Sequence, residues 1–286
     1  MTVSMIPAGE AQLCVETFGR REDPALLLIG GATSSMDYWE SDLCRRLAEA
    51  GRYVVRYDHR DTGQSTSSPV GEPGYTIDDL SDDVLRVLDG LGVGRAHLVG
   101  LSMGGGLAQG LAVSHPERVL SLTLVATTCA FERVGTAPLP PPEARVADTF
   151  SQSTPDVDWS DEEAVVQGNV DALRPFAGSL WDEDAVRAVS RVVVRRTRDM
   201  AASVSNHWVV IGGDGEPDPH TMGEIDVPTL VLHGTEDPLL PLPHGEALAA
   251  EIRGATLLRL EGMGHEVPPR QLWDTVVPAL VEHTAR

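Results

Sequence analysis

The sequence predicts an α/β fold: a mostly parallel central sheet with helices on both faces, interrupted by a helical insertion that caps it. Three observations predict this. Short apolar runs alternate with amphipathic segments from Ala25 to Val125. The alternation lapses between about Thr128 and Met222 and then resumes. At its centre a strand-like run, the pentapeptide Gly100-Leu101-Ser102-Met103-Gly104 and a helix-like run follow one another. Strict alternation is the pattern of a doubly wound parallel sheet, and a serine between glycines at a strand–helix junction is the pattern of a nucleophile elbow.

The elements follow in order. Residues Met1 to Arg21 carry alternating apolar positions (Leu13, Val15, Phe18) and end near Gly19, which predicts an opening β-hairpin at a sheet edge. The run Ala25-Leu26-Leu27-Leu28-Ile29 is apolar throughout, as in a strand covered on both faces. Tyr38 to Ala50 predicts an amphipathic helix through Trp39, Leu43 and Leu47, and Tyr53 to Asp58 predicts the next strand. A long helix is expected from Thr76, where Thr76 and Asp79 form a capping box and Ile77, Leu80, Val84, Val87, Leu88 and Leu91 share a face. The elbow strand (Arg95 to Val99), its helix (Leu107 to His115) and a strand at Val119 to Val125 come next. After the lapse, strands are expected at Pro228 to His233 and Ala255 to Leu260, with a final helix over about Arg270 to His283.

The chain of 286 residues suits one large α/β domain, which we divide into a core (1–127 and 223–286) and a cap (128–222). The cap segment holds the prolines Pro138, Pro140, Pro141 and Pro142, two acidic patches (Asp161, Glu162, Glu163; Asp182, Glu183, Asp184) and weakly helical stretches. Its aromatics (Phe150, Trp159, Phe176, Trp181, Trp208) fit a pocket lining or a small cap core equally well.

The net charge of −21 argues against nucleic acid and anionic membranes as partners. No apolar run reaches the roughly 18–20 residues of a membrane span, and no secretory signal pattern opens the chain. The three cysteines (Cys14, Cys44, Cys129) are widely spaced, as in reduced thiols of a cytoplasmic protein. All 22 basic residues are arginine. No zinc or EF-hand spacing is present; the acidic stretch Asp214-Gly215-Glu216-Pro217-Asp218 reads as a solvated loop, and no metal or cofactor is expected.

A serine nucleophile needs a histidine base held by an acid, and in this architecture the chain order is Ser, acid, His. Ser102 is the candidate nucleophile. His265, in Gly262-Met263-Gly264-His265, and Asp237, in Gly234-Thr235-Glu236-Asp237-Pro238, each follow a predicted strand at its carboxyl end, where sites in such sheets gather. Glu236 and Glu132 are weaker acids for the role. Among other histidines, His97 reads as a core residue and His59 as a brace for nearby loops. His207, His220 and His244 lie in or near the cap, where one could touch substrate. Oxyanion donors are expected from the backbone N–H of Met103, at the helix N-terminus, and of Ala32, with Gly31 as the alternative, in the loop Gly30-Gly31-Ala32.

These motifs together resemble the α/β-hydrolases along nearly the whole chain: Leu28-Ile29-Gly30-Gly31-Ala32, Asp58-His59-Arg60-Asp61-Thr62-Gly63-Gln64-Ser65, the elbow, His233-Gly234-Thr235-Glu236-Asp237-Pro238, and the Gly-Met-Gly-His run. Two departures from the family's usual pattern, Gly30-Gly31 in place of His-Gly and Asp61 in place of Gly, resemble the aclacinomycin methylesterase type. Those actinobacterial enzymes cleave a methyl ester from an anthracycline polyketide. The resemblance implies a serine carboxylic-ester hydrolase acting on a small-molecule ester. The alternatives are the same three residues acting on a lactone, a C–C bond beside a ketone or an acyl acceptor, and a non-catalytic hydrolase-like binding protein. Serine rather than aspartate at position 102 argues against dehalogenase or epoxide-hydrolase chemistry.

Overall fold

The structure is a computed structural model and describes residues 2–133, 135–151, 157–212 and 219–285. Its strands are β1 (Thr2–Ala8), β2 (Ala11–Phe18), β3 (Ala25–Ile29), β4 (Tyr53–Tyr57), β5 (Ala96–Leu101), β6 (Val119–Val125), β7 (Thr229–Gly234) and β8 (Thr256–Leu260). They form one sheet in the order β1-β2-β4-β3-β5-β6-β7-β8. The β1–β2 hairpin is antiparallel, as is the β2–β4 pair, and all later pairs are parallel. Chain order reverses between β3 and β5, which lie side by side with Ile29 opposite Gly100. The loops that leave these two strands therefore diverge from a common crevice, the place where open α/β sheets build sites.

The continuous apolar runs are explained by cover on both faces. Leu27 and Ile29 pack with Val55, Leu98 and Leu124 beneath helices α2 (Ile77–Gly90) and α3 (Met103–Ser114). Their strand neighbours Leu26 and Leu28 turn the other way, onto α1 (Ser41–Glu49) and α9 (Trp273–His283) through Leu43, Leu47, Trp273 and Val276. Alternate residues of one strand thus belong to two separate cores, and no position in it can be polar without a partner.

Three boundaries differ from the sequence expectation. The helix expected from Tyr38 starts at Ser41, because the buried Arg56 guanidinium takes the carbonyls of Met36 (3.2 Å) and Trp39, holding that stretch in a 3₁₀ turn at Met36–Tyr38. The elbow helix begins at Met103, not Leu107. Its glycines are poor helix formers, yet tertiary packing overrides propensity here. Helix α8, over Pro243–Glu251, was not anticipated, since small residues blur its apolar face. The Thr76–Asp79 capping box of α2 is present and Leu80, Val84, Val87 and Leu88 are buried, whereas Ile77 in the first turn stays 40% exposed.

Between β6 and β7 the described residues hold α4 (Ala144–Ser151), α5 (Glu162–Leu173), α6 (Glu183–Arg196) and α7 (Met200–Ile211), and no strand. The acidic patches are helix starts: the Asp161 carboxylate accepts from the amides of Glu163 and Ala164, and that of Asp182 from Ala185. The acidic stretch 214–218 lies outside the described residues. Among the described residues no helix is long and apolar enough to cross a membrane.

Candidate active site

Ser102 joins β5 to α3 with φ 49° and ψ −117°, a left-handed conformation rare for any residue with a side chain. Its neighbours pay for that geometry with hydrogen bonds. The Ser102 amide donates to the Val125 carbonyl (3.0 Å), and its own carbonyl accepts from the amides of Gly105 (2.9 Å) and Gly106 (3.1 Å) and the Thr127 hydroxyl (2.8 Å). Glycine is required on either side: a Cβ at Gly100 would lie 2.3 Å from the Gly104 carbonyl oxygen, and one at Gly104 would lie 2.5 Å from that of Gly30.

The three expected side chains come together. The Ser102 hydroxyl donates to His265 Nε2 over 3.0 Å, and His265 Nδ1–H donates to Asp237 Oδ2 over 2.9 Å. The other Asp237 oxygen accepts from the amides of Leu239 (3.0 Å) and Leu240 (2.8 Å), and the residue is only 2% exposed. These bonds fix the carboxylate and, through it, the histidine tautomer. The loops after β7 and β8 are themselves joined, with the Glu236 amide donating to the Met263 carbonyl (3.1 Å) and the Gly262 amide to the Thr235 hydroxyl (3.0 Å).

The rival residues are otherwise employed. The Glu236 carboxylate accepts from the amide (2.7 Å) and hydroxyl (2.9 Å) of Ser179 in the insertion, and Glu132 is exposed. His97 is a core residue paired with the Ser121 hydroxyl at 2.8 Å. His244 sits between the Thr128 hydroxyl (2.8 Å) and the Pro140 carbonyl (3.0 Å), and His220 pairs with Glu224. His59 donates from Nε2 to the Gly30 carbonyl (3.1 Å), and burial pushes its pKa down to about 4, which makes it the loop brace anticipated. His207 is fully buried, so it does not reach substrate as the sequence allowed.

The loop after β3 lies against the elbow. A Cβ at Gly31 would sit 3.4 Å from Ser102 Cβ, and the Ser34 amide closes the turn on the Gly31 carbonyl (3.2 Å). The amides of Ala32 and Met103 donate to no acceptor among the described residues, Met103 being the first residue of its helix. Among those same residues no group of three or more His, Cys, Asp or Glu side chains is arranged to hold a metal ion.

From His265 a strip of aromatic rings runs outward over the insertion. Phe176 lies 6.3 Å from the His265 ring, Phe150 lies 6.3 Å from Phe176, and Trp208 lies 5.4 Å from Phe150. Phe150 (52%) and Trp208 (43%) are exposed, so the strip is open to solvent at its far end. Trp181 instead stacks beneath Arg174.

A family profile described as the alpha/beta hydrolase fold matches residues 24–269 of this chain. The chain belongs to the α/β-hydrolases. This hydrolase is 31% identical to "Rhodomycin D methylesterase DnrP" of Streptomyces peucetius, over 99% of its own length and 98% of the relative's. It is also 31% identical to "Rhodomycin D methylesterase DauP" of Streptomyces sp. (strain C5), with the same coverage. Both bear out the resemblance to the aclacinomycin methylesterase type. Among solved structures, the enol-lactonase from Burkholderia xenovorans LB400 superposes with a TM-score of 0.73 at 25% identity, over 99% of this chain and 100% of that one.

The hydrolase's departure at Asp61 has a physical account. Asp61 keeps the left-handed backbone (φ 65°) that a glycine would favour, and its buried carboxylate accepts from the Tyr75 hydroxyl (2.7 Å) and from Asn206 Nδ2 of α7 (2.9 Å). A second tie is Arg196, at the end of α6, which donates to both Asp37 oxygens (2.8 and 3.0 Å) and pairs with the wholly buried Asp58. Sequence reasoning missed both ties. The Asp61–Asn206 and Asp58–Arg196 contacts join residues far apart in the chain, and no local pattern points to them.

Proposed function

We propose that this hydrolase cleaves carboxylic esters, with Ser102 as nucleophile, His265 as base and Asp237 as the acid that orients it. The observation that carries the reading is the unbroken hydrogen-bond chain from the Ser102 hydroxyl through His265 to Asp237. Ser102 Oγ attacks the ester carbonyl while His265 Nε2 takes its proton. The imidazolium that forms is stabilised by the buried carboxylate. The carbonyl oxygen, now an anion, receives the Ala32 and Met103 amides, aided by the positive end of α3. Collapse expels the alcohol, which takes the proton from His265, and leaves an acyl-enzyme. Water, deprotonated by His265, attacks in turn; collapse returns the proton to Ser102 and releases the carboxylic acid.

The proposed substrate is a small molecule, a methyl ester on a bulky polyketide of the anthracycline kind. Two things support it: the full-length similarity to two proteins named rhodomycin D methylesterase, and the aromatic strip beside His265, whose apolar rings, exposed at Phe150 and Trp208, suit a bulky fused-ring acid. Residues 128–222 are the cap in this reading, closing over a core of 1–127 and 223–286. A lactone is the second reading, favoured by the superposition on the enol-lactonase.

Hydrolysis of p-nitrophenyl acetate, p-nitrophenyl octanoate, an anthracycline methyl ester and an enol-lactone, by wild type and Ser102→Ala, tests the proposal. Turnover of the anthracycline ester, lost in the variant, is the expected result. Turnover of the lactone alone would move the assignment to the second reading. Activity that survives Ser102→Ala would overturn the mechanism.

A further inference from the structure

We propose that His207, carried by α7 of the insertion, is a positioning residue for the oxyanion donor Ala32. The proposal rests on the ester-hydrolase reading above and adds to it a residue that never touches the substrate.

The loop that offers Ala32 is strained just beyond it. Thr33 has φ 62°, a left-handed conformation that a β-branched side chain rarely adopts. Something must hold it there. The Thr33 amide donates to His207 Nδ1 over 2.8 Å. On the far side of the ring, Nε2–H donates to the Arg60 carbonyl over 2.9 Å, which puts the proton on Nε2 and leaves the Nδ1 lone pair facing Thr33.

His207 is 0% exposed, so the packing around the ring fixes where its Nδ1 meets the partly buried Thr33 amide. Burial also pushes its pKa down to about 4, keeping Nδ1 an acceptor at neutral pH. The anchor behind it is firm as well: the Arg60 side chain is held by both oxygens of Asp83 (2.7 and 2.9 Å).

A second imidazole completes the arrangement. His59 donates to the Gly30 carbonyl, and its ring lies edge-on to that of His207 with centroids 5.7 Å apart. The backbone on either side of Gly31 and Ala32 is thus tied to a buried histidine, one from the core and one from the insertion. The neighbour of His207, Asn206, fixes α7 through Asp61 (2.9 Å), the Pro69 carbonyl (3.1 Å) and the Gly71 amide (2.7 Å). Removing the acceptor would leave the partly buried Thr33 N–H without its partner and release the strained residue, and the Ala32 amide would lose its aim. The insertion therefore reaches the chemistry through the backbone of the oxyanion loop.

The test is steady-state hydrolysis of one p-nitrophenyl ester by wild type, His207→Leu, His207→Asn and Ser102→Ala, together with the affinity of each for a boronic acid that mimics the tetrahedral intermediate. Leucine keeps the bulk and loses the acceptor; asparagine offers Oδ1 near the place of Nδ1. For His207→Leu we expect kcat to fall about 10–100-fold, somewhat less than for deletion of a donor itself, with KM within about twofold. Boronic-acid affinity should fall by a similar factor, and His207→Asn should recover most of the loss. A wild-type kcat in His207→Leu, or His207→Asn as slow as His207→Leu, overturns the proposal. Should His207→Leu not fold, His207→Gln takes its place, since its oxygen lies one bond too far out; a wild-type kcat there overturns the proposal equally. Full activity in Ser102→Ala would instead overturn the hydrolase mechanism, so the two failures are distinct.

Discussion

The backbone amide of His265 donates to the carbonyl of Phe176 over 2.8 Å, so the insertion helps to hold the histidine that bonds Ser102. The contact is close on both sides. A Cβ at Gly264 would lie 2.3 Å from the Phe176 oxygen, and one at Gly178 would lie 2.2 Å from the Gly262 oxygen. Backbone meets backbone there, with no flexible side chain to yield.

Gly264→Ala should therefore push the histidine loop away from the insertion and misplace His265. A displacement of about 1 Å at a reacting group can cost on the order of 10² in rate. Hydrolysis of p-nitrophenyl acetate, compared with the melting temperature, checks this. Gly106→Ala, where an added Cβ meets nothing within 4 Å, is the control and should retain wild-type activity.

Asp237→Asn should lower kcat by about 10⁴, because the amide no longer enforces the Nδ1–H tautomer. The loss should not add to that of His265→Ala, since residues that act as a unit fail together. A double variant about 10⁴ slower than His265→Ala alone would contradict the arrangement.

Arg196→Met should destabilise the fold by about 3–5 kcal/mol, the usual result of leaving a buried carboxylate without its partner. Asp58 is wholly buried, and burial raises its pKa above the ordinary carboxylate value even with Arg196 beside it. Urea unfolding at pH 7 measures the loss. A midpoint equal to wild type would show that the tie between α6 and the Asp58 loop contributes nothing.

How much of this was legible beforehand depended on distance along the chain. Ser102, Asp237 and His265 each stand just past an apolar run, so strand ends and chain order were enough to pick them out. The strands themselves were plain because cover on both faces demands unbroken apolar residues. The Arg196–Asp58 pair, the His207–Thr33 bond and the ring contacts from His265 to Trp208 join segments that no local periodicity relates. The start of α3 was hidden for the opposite reason: glycines that propensity places outside a helix are demanded inside it by the approach of Gly30.

Stability should fall as the pH drops from about 6.5 to about 4. Burial pushes His97 down to about 4 in the folded protein, as it does His59 and His207. In the unfolded chain these groups titrate near 6.5, so below that pH the unfolded state binds protons that the folded state refuses. Above it they add no slope. His97 lies away from Ser102, so His97→Gln isolates the effect. Its unfolding midpoint in urea should change less between pH 6.5 and pH 4.5 than that of wild type, and an identical change would contradict the assignment.

The most direct test of Ser102 as nucleophile is covalent labelling with a fluorophosphonate, read by intact-protein mass and peptide mapping. One label per chain, located on Ser102, lost in Ser102→Ala and greatly slowed in His265→Ala, is the predicted result. Labelling that persists in Ser102→Ala, or a folded wild-type protein that takes no label, would contradict the account.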